Sequence, residues 1–370
     1  MKKKILISSL LTATLLLASC GWVQNNNTQI KKTTQNVNLV NNKEKENQTI
    51  KLVSDRSDFH LKQVVKDFEK ATWIKVETNF VEHGLLDKIE NQNQWDIYIS
   101  KDSSLILIAA QKWLLGKVNP SLLKKVPTLN KGSNWFNMTY RDRSIMVKKW
   151  MPESEVPKNY EDLVKPEYKG KICIRKFDHN YNVELFSYLY KQHWATWLKT
   201  YLEKLADNLG RKPVWNDRNQ VKGIVVDKAC DIALVNTYYM GLMLENPEQR
   251  AWWEWVDVYF PNQNPPKDYL DWAVALYSWV WIKKWDENNE SVNKFIQYIL
   301  STPVQKALSE HNYEYPITTT SDSEIVKNLG KKQGLKMEDI KETSITQEEI
   351  AKVRNNVLKI IKEVEIEKNI

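Results

Sequence analysis

Apolar residues along the chain fall into two alternating rhythms. Ile50 to Ser54 is a short apolar run, and after it Leu61, Val64, Val65 and Phe68 recur at helical spacing behind Ser57 or Asp58, either of which can cap a helix. A second run at Ile74 to Val76 leads to a helical pattern of Leu85, Leu86 and Ile89, and a third run spans Ile97 to Ile99. The second half repeats the style, with Lys171 to Ile174 following a turn at Gly170 and Ala233 to Val235 running into Asn236. Between these runs lie helical stretches around Leu185 to Tyr190 and Leu198 to Leu205. Strands alternating with helices predict parallel sheets covered on both faces, and a body of residues 50–370 is long enough for two such lobes.

Both ends depart from this rhythm. Near the carboxyl end Thr346 and Glu349 form a capping-box pair before Ile350, Val353, Val357, Ile360, Ile361 and Val364, which share one helical stripe and predict a docking helix. At the amino end, basic Lys2, Lys3 and Lys4 precede an apolar stretch from Ile5 to Leu17, too short to span a bilayer, so residues 1–19 read as a secretory leader. Leu17-Ala18-Ser19-Cys20 closes it and resembles a bacterial lipobox with Cys20 as the lipidated residue; an ordinary leader with a coincidental cysteine is the alternative. Residues 20–49 are rich in Asn and Lys with scattered apolar positions, the composition of a tether. The expectation is a protein exported and lipid-anchored to the outer face of the cytoplasmic membrane.

Charge changes little. The formal net charge is +8, but the first 50 residues hold seven Lys against two Glu, so the body carries only +3. With no basic stripe interleaved with aromatics, nucleic acid is not an expected partner. Once Cys20 is set aside, Cys173 and Cys230 remain, and an oxidising compartment favours their pairing, although residue types alone do not establish the geometry. The chain carries no G-x-S-x-G, H-E-x-x-H, C-x-x-C or phosphate-cradling loop, so nothing points to an enzyme. His60, His83, His179, His193 and His311 have no metal-ligand spacing and read as surface or packing residues.

Candidate chemistry gathers at Asn236-Thr237-Tyr238-Tyr239, directly after the apolar run Asp231 to Val235. In open α/β sheets ligands sit beyond the carboxyl ends of strands. A helix N-terminus there favours phenol ionisation, and a phenolate is a hard anionic donor suited to a small, highly charged cation such as Fe(III). Paired tyrosines are also common in cores, so this dipeptide alone does not decide between the two roles.

Longer segments carry a resemblance. Lys165-Pro166-Glu167-Tyr168-Lys169-Gly170-Lys171-Ile172-Cys173-Ile174-Arg175, Tyr181-Asn182-Val183-Glu184-Leu185-Phe186, Asn208-Leu209-Gly210-Arg211-Lys212-Pro213, Asn216 to Lys222, Asn236 to Gly241, Glu314-Tyr315-Pro316 and Ser323 to Lys327 resemble, in order, the periplasmic ferric-iron-binding protein family over essentially all of 50–370. The resemblance implies a type II periplasmic-binding fold, two α/β lobes joined by a two-segment hinge near Thr139–Met146 and Ala273–Val280. It divides the body into a first lobe over 50–142, a second over 143–272, and a return to the first lobe with the docking helix over 273–370. It implies Fe(III) bound by Tyr181, Tyr238 and Tyr239, a carbonate-like synergistic anion on Arg56 and Arg141, a Cys173–Cys230 disulfide, and delivery by a monomer to an ABC-transporter permease. Where other branches place His-Tyr after the first-lobe arginine, this chain has Ser57 and Asp58, which argues against protein ligands from that lobe. A binding protein of the same fold for thiamine or an oxyanion is the nearest alternative.

One compositional oddity remains. The chain has 10 Gly and 16 Trp, whereas ordinary usage would give about 26 glycines. Trp73, Trp215, Trp272 and Trp279 stand where relatives resembling this chain have glycine, while Trp135 and Trp252 stand where they have an aromatic. The reading is that the source lineage decodes UGA as glycine. The alternative is a Trp-rich surface lipoprotein that binds glycans through tryptophans exposed in a row.

Overall fold

A computed structural model describes residues 49–56, 58–81, 85–90 and 94–370. The leader, the tether up to residue 48, Cys20, Ser57 and His83 lie outside the described residues, and the last position assigned to the tether, Thr49, opens β1. No described helix is long and apolar enough to cross a membrane.

The first half builds as its rhythm predicts. Strand β1 (Thr49–Ser54) leads through α1 (Asp58–Thr72) to β2 (Lys75–Phe80), and α2 (Leu85–Glu90) leads to β3 (Ile97–Ser100) and α3 (Ser103–Gln111). The short central strand β1 pairs in parallel with β2 on one side and β3 on the other. Leu52, Ile97 and Ile99 face Leu61 and Phe68 of α1 in a core that also takes Phe295 and Tyr298. Parallel strands covered by helices bury both faces, so β3 is buried along its whole length, whereas the edge strand β2 stays largely polar and open.

One long strand then carries the chain from one sheet to the other. β4 (Trp135–Lys148) is paired from Trp135 to Asp142 with a later strand of the first sheet, and from Arg143 onward it belongs to a second sheet. That second sheet is built from β5 (Ile172–Cys173), α4 (Asn180–Asp207), α5 (Asp217–Val225), β6 (Ile232–Asn236), α6 (Tyr239–Glu245) and β7 (Val256–Tyr259). β5 and β6 are parallel, and β6 and β7 run antiparallel to the second half of β4. The two stretches expected as helices within 185–205 are one element broken at Trp194, whose backbone is not helical. Cys173 on β5 and Cys230 before β6 are joined as a disulfide.

Strand β8 (Ala275–Ile282) returns to the first sheet and lies antiparallel between β3 and β4. Helices α7 (Glu290–Ile299) and α8 (Thr302–Asn312) and strand β9 (Tyr315–Pro316), which pairs with β4, follow. From α9 (Glu324–Lys327) onward the chain packs against the second lobe: Val326 and Leu329 join the cluster around Met146 and Tyr238. The last helix, α10 (Gln347–Lys368), opens with the Thr346/Glu349 capping box. It sets Ile350, Val357, Ile361 and Val364 against Leu185, Leu189 and Leu202 of α4. The docking helix therefore covers the second lobe. Two α/β lobes connected through β4 and the approach to β8 define the type II periplasmic-binding architecture.

Candidate metal centre

Each tyrosine is placed by the element it opens. Tyr181 lies in the first turn of α4, whose N-cap is His179; the His179 Nδ1 accepts the Tyr181 backbone N–H at 3.2 Å. Burial first, and then Arg175, Arg143 and Lys101, push this imidazole down to about 2, so it stays neutral and serves the helix end as an acceptor. Tyr238 and Tyr239 follow β6 directly and begin α6. The register between β5, β6 and β4 brings these separate starts to one end of the second sheet. There the Tyr181 and Tyr238 hydroxyls are 3.4 Å apart, and the Tyr238 and Tyr239 rings lie 4.3 Å apart. All three tyrosines are buried.

Their ionisation is unequal. Burial works to raise the Tyr181 phenol, but Arg141, Lys101 and Arg175 together outweigh it, and its net direction is downward. Tyr238 is pushed far upward by burial and by the neighbouring Tyr181 and Tyr239. Tyr239 is pushed up to about 12 by burial first, with Tyr181 and Asp217 adding and Arg175 opposing. Tyr181 is thus the readiest of the three to ionise, while Tyr238 and Tyr239 hold their protons more tightly. A multivalent cation entering here would displace those protons.

The positive residues come from other elements. Arg141, on the part of β4 that belongs to the first sheet, has no exposed surface, and its guanidinium lies 5.3 Å over the Tyr181 ring. Arg175 faces the same ring at 5.1 Å. Arg56, after β1, donates to Ser278 and pairs with Glu314 at 2.8 Å. Arg141 approaches the same carboxylate at 3.9 Å through Nε, and its Nη2 is a buried donor with no hydrogen-bond partner among the described residues. A buried guanidinium with a spare donor is suited to a small anion. Of the two arginines expected to hold one, Arg141 offers the spare terminal donor, while both terminal nitrogens of Arg56 are engaged.

Several residues of this neighbourhood were not singled out from the sequence. Glu314 holds Arg56, and its other oxygen accepts from Thr139. Asp217, at the start of α5, accepts from Arg143 at 2.8 Å and from the Asn236 backbone N–H at 2.8 Å, anchoring the strand end that carries the tyrosine pair. Lys101 is fixed by its backbone and side chain to Asp55, at 2.9 and 3.0 Å. The Glu314-Tyr315-Pro316 and Asn216-Asp217-Arg218 segments were visible as motifs, but the partner of each carboxylate depends on the fold. Asp58 opens α1 as a helix-start residue.

Buried tyrosines of the second lobe thus meet Arg141 of β4 and Arg175 at the strand ends, within the two-lobed fold of an extracytoplasmic solute-binding protein. Residues 64–342 match the bacterial extracellular solute-binding protein family, and the chain belongs to it. It is 31% identical over 283 residues to iron uptake protein A1 of Synechocystis, covering 74% of this chain and 76% of that protein. The crystal structure of apo ferric ion-binding protein A from Pasteurella haemolytica superposes with a TM-score of 0.75 at 32% identity, over 86% of this chain and 98% of that one. The Trichodesmium protein (IdiA, FutA) in complex with iron and citrate ligands gives a TM-score of 0.73 at 27% identity, over 86% and 99%.

Proposed function

We propose that this chain captures ferric iron outside the cytoplasm with Tyr181, Tyr238 and Tyr239 and hands it to an ABC-type importer. The observation that carries the reading is the meeting of three buried tyrosines at the end of the second sheet, two of them with hydroxyls 3.4 Å apart. Phenolates are hard, anionic donors that neutralise a small trivalent cation, which matches the iron named in the relatives. A synergistic anion, carbonate-like or a carboxylate such as citrate, fills the remaining positions on Arg141, with Arg56 supplying charge from behind Glu314.

The protein works as a monomer whose Cys20 lipid holds it at the membrane, whose tether over 20–49 gives it reach, and whose Cys173–Cys230 bridge persists in the oxidising space. Residues 50–142 form the first lobe and 143–272 the second, and the crossings near Thr139–Met146 and Ala273–Val280 act as the hinge. Purified protein given ferric citrate develops a visible phenolate-to-iron charge-transfer band, and Tyr238→Phe abolishes or shifts it. An iron-loaded protein without such a band, or one indifferent to Tyr238→Phe, refutes the assignment. Thiamine or an oxyanion bound with the tyrosines intact and iron ignored would favour the alternative of the same fold.

A further inference from the structure

One contact joins the lobes away from the tyrosines. Glu184 lies on α4, one turn beyond Tyr181, and its Oε1 accepts both the backbone N–H and the hydroxyl of Ser103, at 3.2 and 2.8 Å. Ser103 is the first residue of α3, which packs with Val53, Tyr98 and Trp281 in the first lobe. A helix start leaves backbone N–H groups without intrahelical acceptors, and here the acceptor is supplied by the opposite lobe. Beside it, Arg354 of α10 donates to Asn180 at 2.9 Å and pairs with Asp102 at 3.5 Å. Glu184 is buried, and its Oε2 has no hydrogen-bond partner among the described residues.

We propose that Glu184 is a closure latch: a second-lobe carboxylate that seats on the first-lobe α3 terminus when the lobes close, with Arg354 and Asp102 as the outer clasp. Placed one helical turn from Tyr181, it makes lobe closure and occupation of the tyrosine site report to each other. Glu184 is a positioning residue, and its role rests on the iron-capture reading only where iron release is the readout. The groups acting on it are Asp102 and Ser103 on the α3 side, Arg141 on β4 and Tyr188 on α4, while Arg354 on α10 reaches Asp102 beside it. Burial first, then Asp102, raise its carboxyl to about 7, against Arg141 and Ser103. An exposed carboxyl in open lobes titrates near ~4.3. The shift is upward on closing, so closure takes up a proton between those values, is favoured as pH falls through about 7, and loses that favour above it.

Small-angle scattering of the apo protein against pH, with iron release followed separately by the charge-transfer band, tests the latch. Glu184→Ala should open the apo protein and speed iron release by about tenfold, with the band itself unmoved. Glu184→Gln keeps an acceptor for Ser103 but cannot ionise; it should stay as closed at every pH as wild type is at low pH, losing the pH dependence of closure. Wild-type closure and release in Glu184→Ala, or an unchanged pH dependence in Glu184→Gln, overturn the proposal. If no band forms in any variant, the iron reading fails, and the scattering comparison still decides the latch.

Backbone conformation independently carries a second inference. Ten non-glycine residues among those described have positive φ, and five are tryptophans: Trp73 (61°), Trp113 (56°), Trp150 (64°), Trp194 (69°) and Trp285 (75°). A bulky side chain seldom adopts this region. Trp73 follows α1 with its N–H on the Glu69 carbonyl, and Trp113 follows α3 with the Leu114 N–H on the Ala109 carbonyl. Both are the left-handed helix-ending position that glycine usually fills. Trp150 and Trp285 are each third in a turn, closed by Met151 N–H on Lys148 and by Asp286 N–H on Lys283, another glycine position when φ is positive. Trp194, at φ 69° and ψ 177°, lies in a region essentially reserved for glycine. All five side chains are 70% exposed or more, so no burial offsets the strain.

We infer that the organism's own protein carries glycine at these five positions, read there from UGA codons. Trp73 is thereby kept from the four positions first suspected. Trp279 is instead packed against Trp135 at 4.6 Å within β8. Trp215 and Trp272 lack positive φ and sit under Lys176 and Lys341 at 5.2 and 4.3 Å, so the backbone gives no case for glycine there. Sequencing the gene should show UGA at all five positions, and the intact mass of host-made protein should fall by the corresponding Trp-to-Gly differences. Replacing the five by glycine in the recombinant chain should raise its Tm. UGG codons at these positions, or a Tm that falls on replacement, overturn the inference.

Discussion

The two walls of the cleft are built from different chemistry. The second-lobe wall presents oxygen donors: Tyr181 at the start of α4 and Tyr238 and Tyr239 after β6. The first-lobe wall presents charge: Arg56, Lys101 and Glu314, with Arg141 on the strand between them. Under the proposed iron capture, the donor wall would hold the metal before the lobes meet, and the charged wall would act when brought close. The contrast then separates what would recognise the cation from what would set its protonation, its anion and its release.

That separation can be broken from the donor side first. Loss of a groups-behind-the-ligand contact costs a metal site about 10–100-fold, so Tyr238→Phe, which deletes a donor, should exceed about 100-fold in iron affinity by competition against citrate. An effect no greater than that of the first-lobe substitutions would erase the distinction between the walls. Acid comes next. Tyr238 and Tyr239 both hold their protons, the latter raised to about 12, so a cation bound by them would release those protons and affinity should fall as pH falls. Each displaced proton contributes about tenfold per pH unit, so Tyr238 and Tyr239 together give a decline of at least about 100-fold per pH unit near neutrality, measured by titration in a buffer free of competing chelators. A flat profile would mean that the tyrosines do not ionise on loading.

Smaller effects probe the charged wall. Arg141→Gln removes the buried spare donor and should weaken iron binding by about tenfold while abolishing its dependence on added carbonate or citrate. Retention of that dependence would move the anion elsewhere. Lys101→Met should change affinity only a few-fold, but it removes one of the charges that lower Tyr181. Ultraviolet titration of the apo protein should then show a phenol ionising at higher pH. No shift would place Lys101 outside the electrostatics of the site.

Legibility in the sequence follows the range of the interactions. The runs at Ile50–Ser54 and Ile97–Ile99, the helix of Leu61 to Phe68 and the Thr346/Glu349 box are local patterns, and they appear in the structure where their spacing places them. The length of β4 was not legible beyond its crossing segment, because its first and second halves bury themselves against different sheets. Its polar residues Asn137, Thr139, Arg141 and Arg143 break the apolar run that would announce a buried strand.

The tyrosine pair after a strand was legible as a candidate ligand-facing end, since a strand terminus and a helix start are set by neighbours in the chain, but the pair alone left a core role equally open. What it could not supply was company. Tyr181 reaches Tyr238 across 57 residues, and Arg56 finds Glu314 across 258, distances fixed by sheet register and by the passage of β4 between lobes. The glycine deficit was likewise visible as a count, but only the backbone distinguishes Trp73, with φ of 61°, from Trp279, well packed in a strand. Composition and spacing record which chemistry a residue can perform. Tertiary structure decides which residues perform it together, because electrostatics and hydrogen bonding act over a few ångströms that the chain alone does not measure.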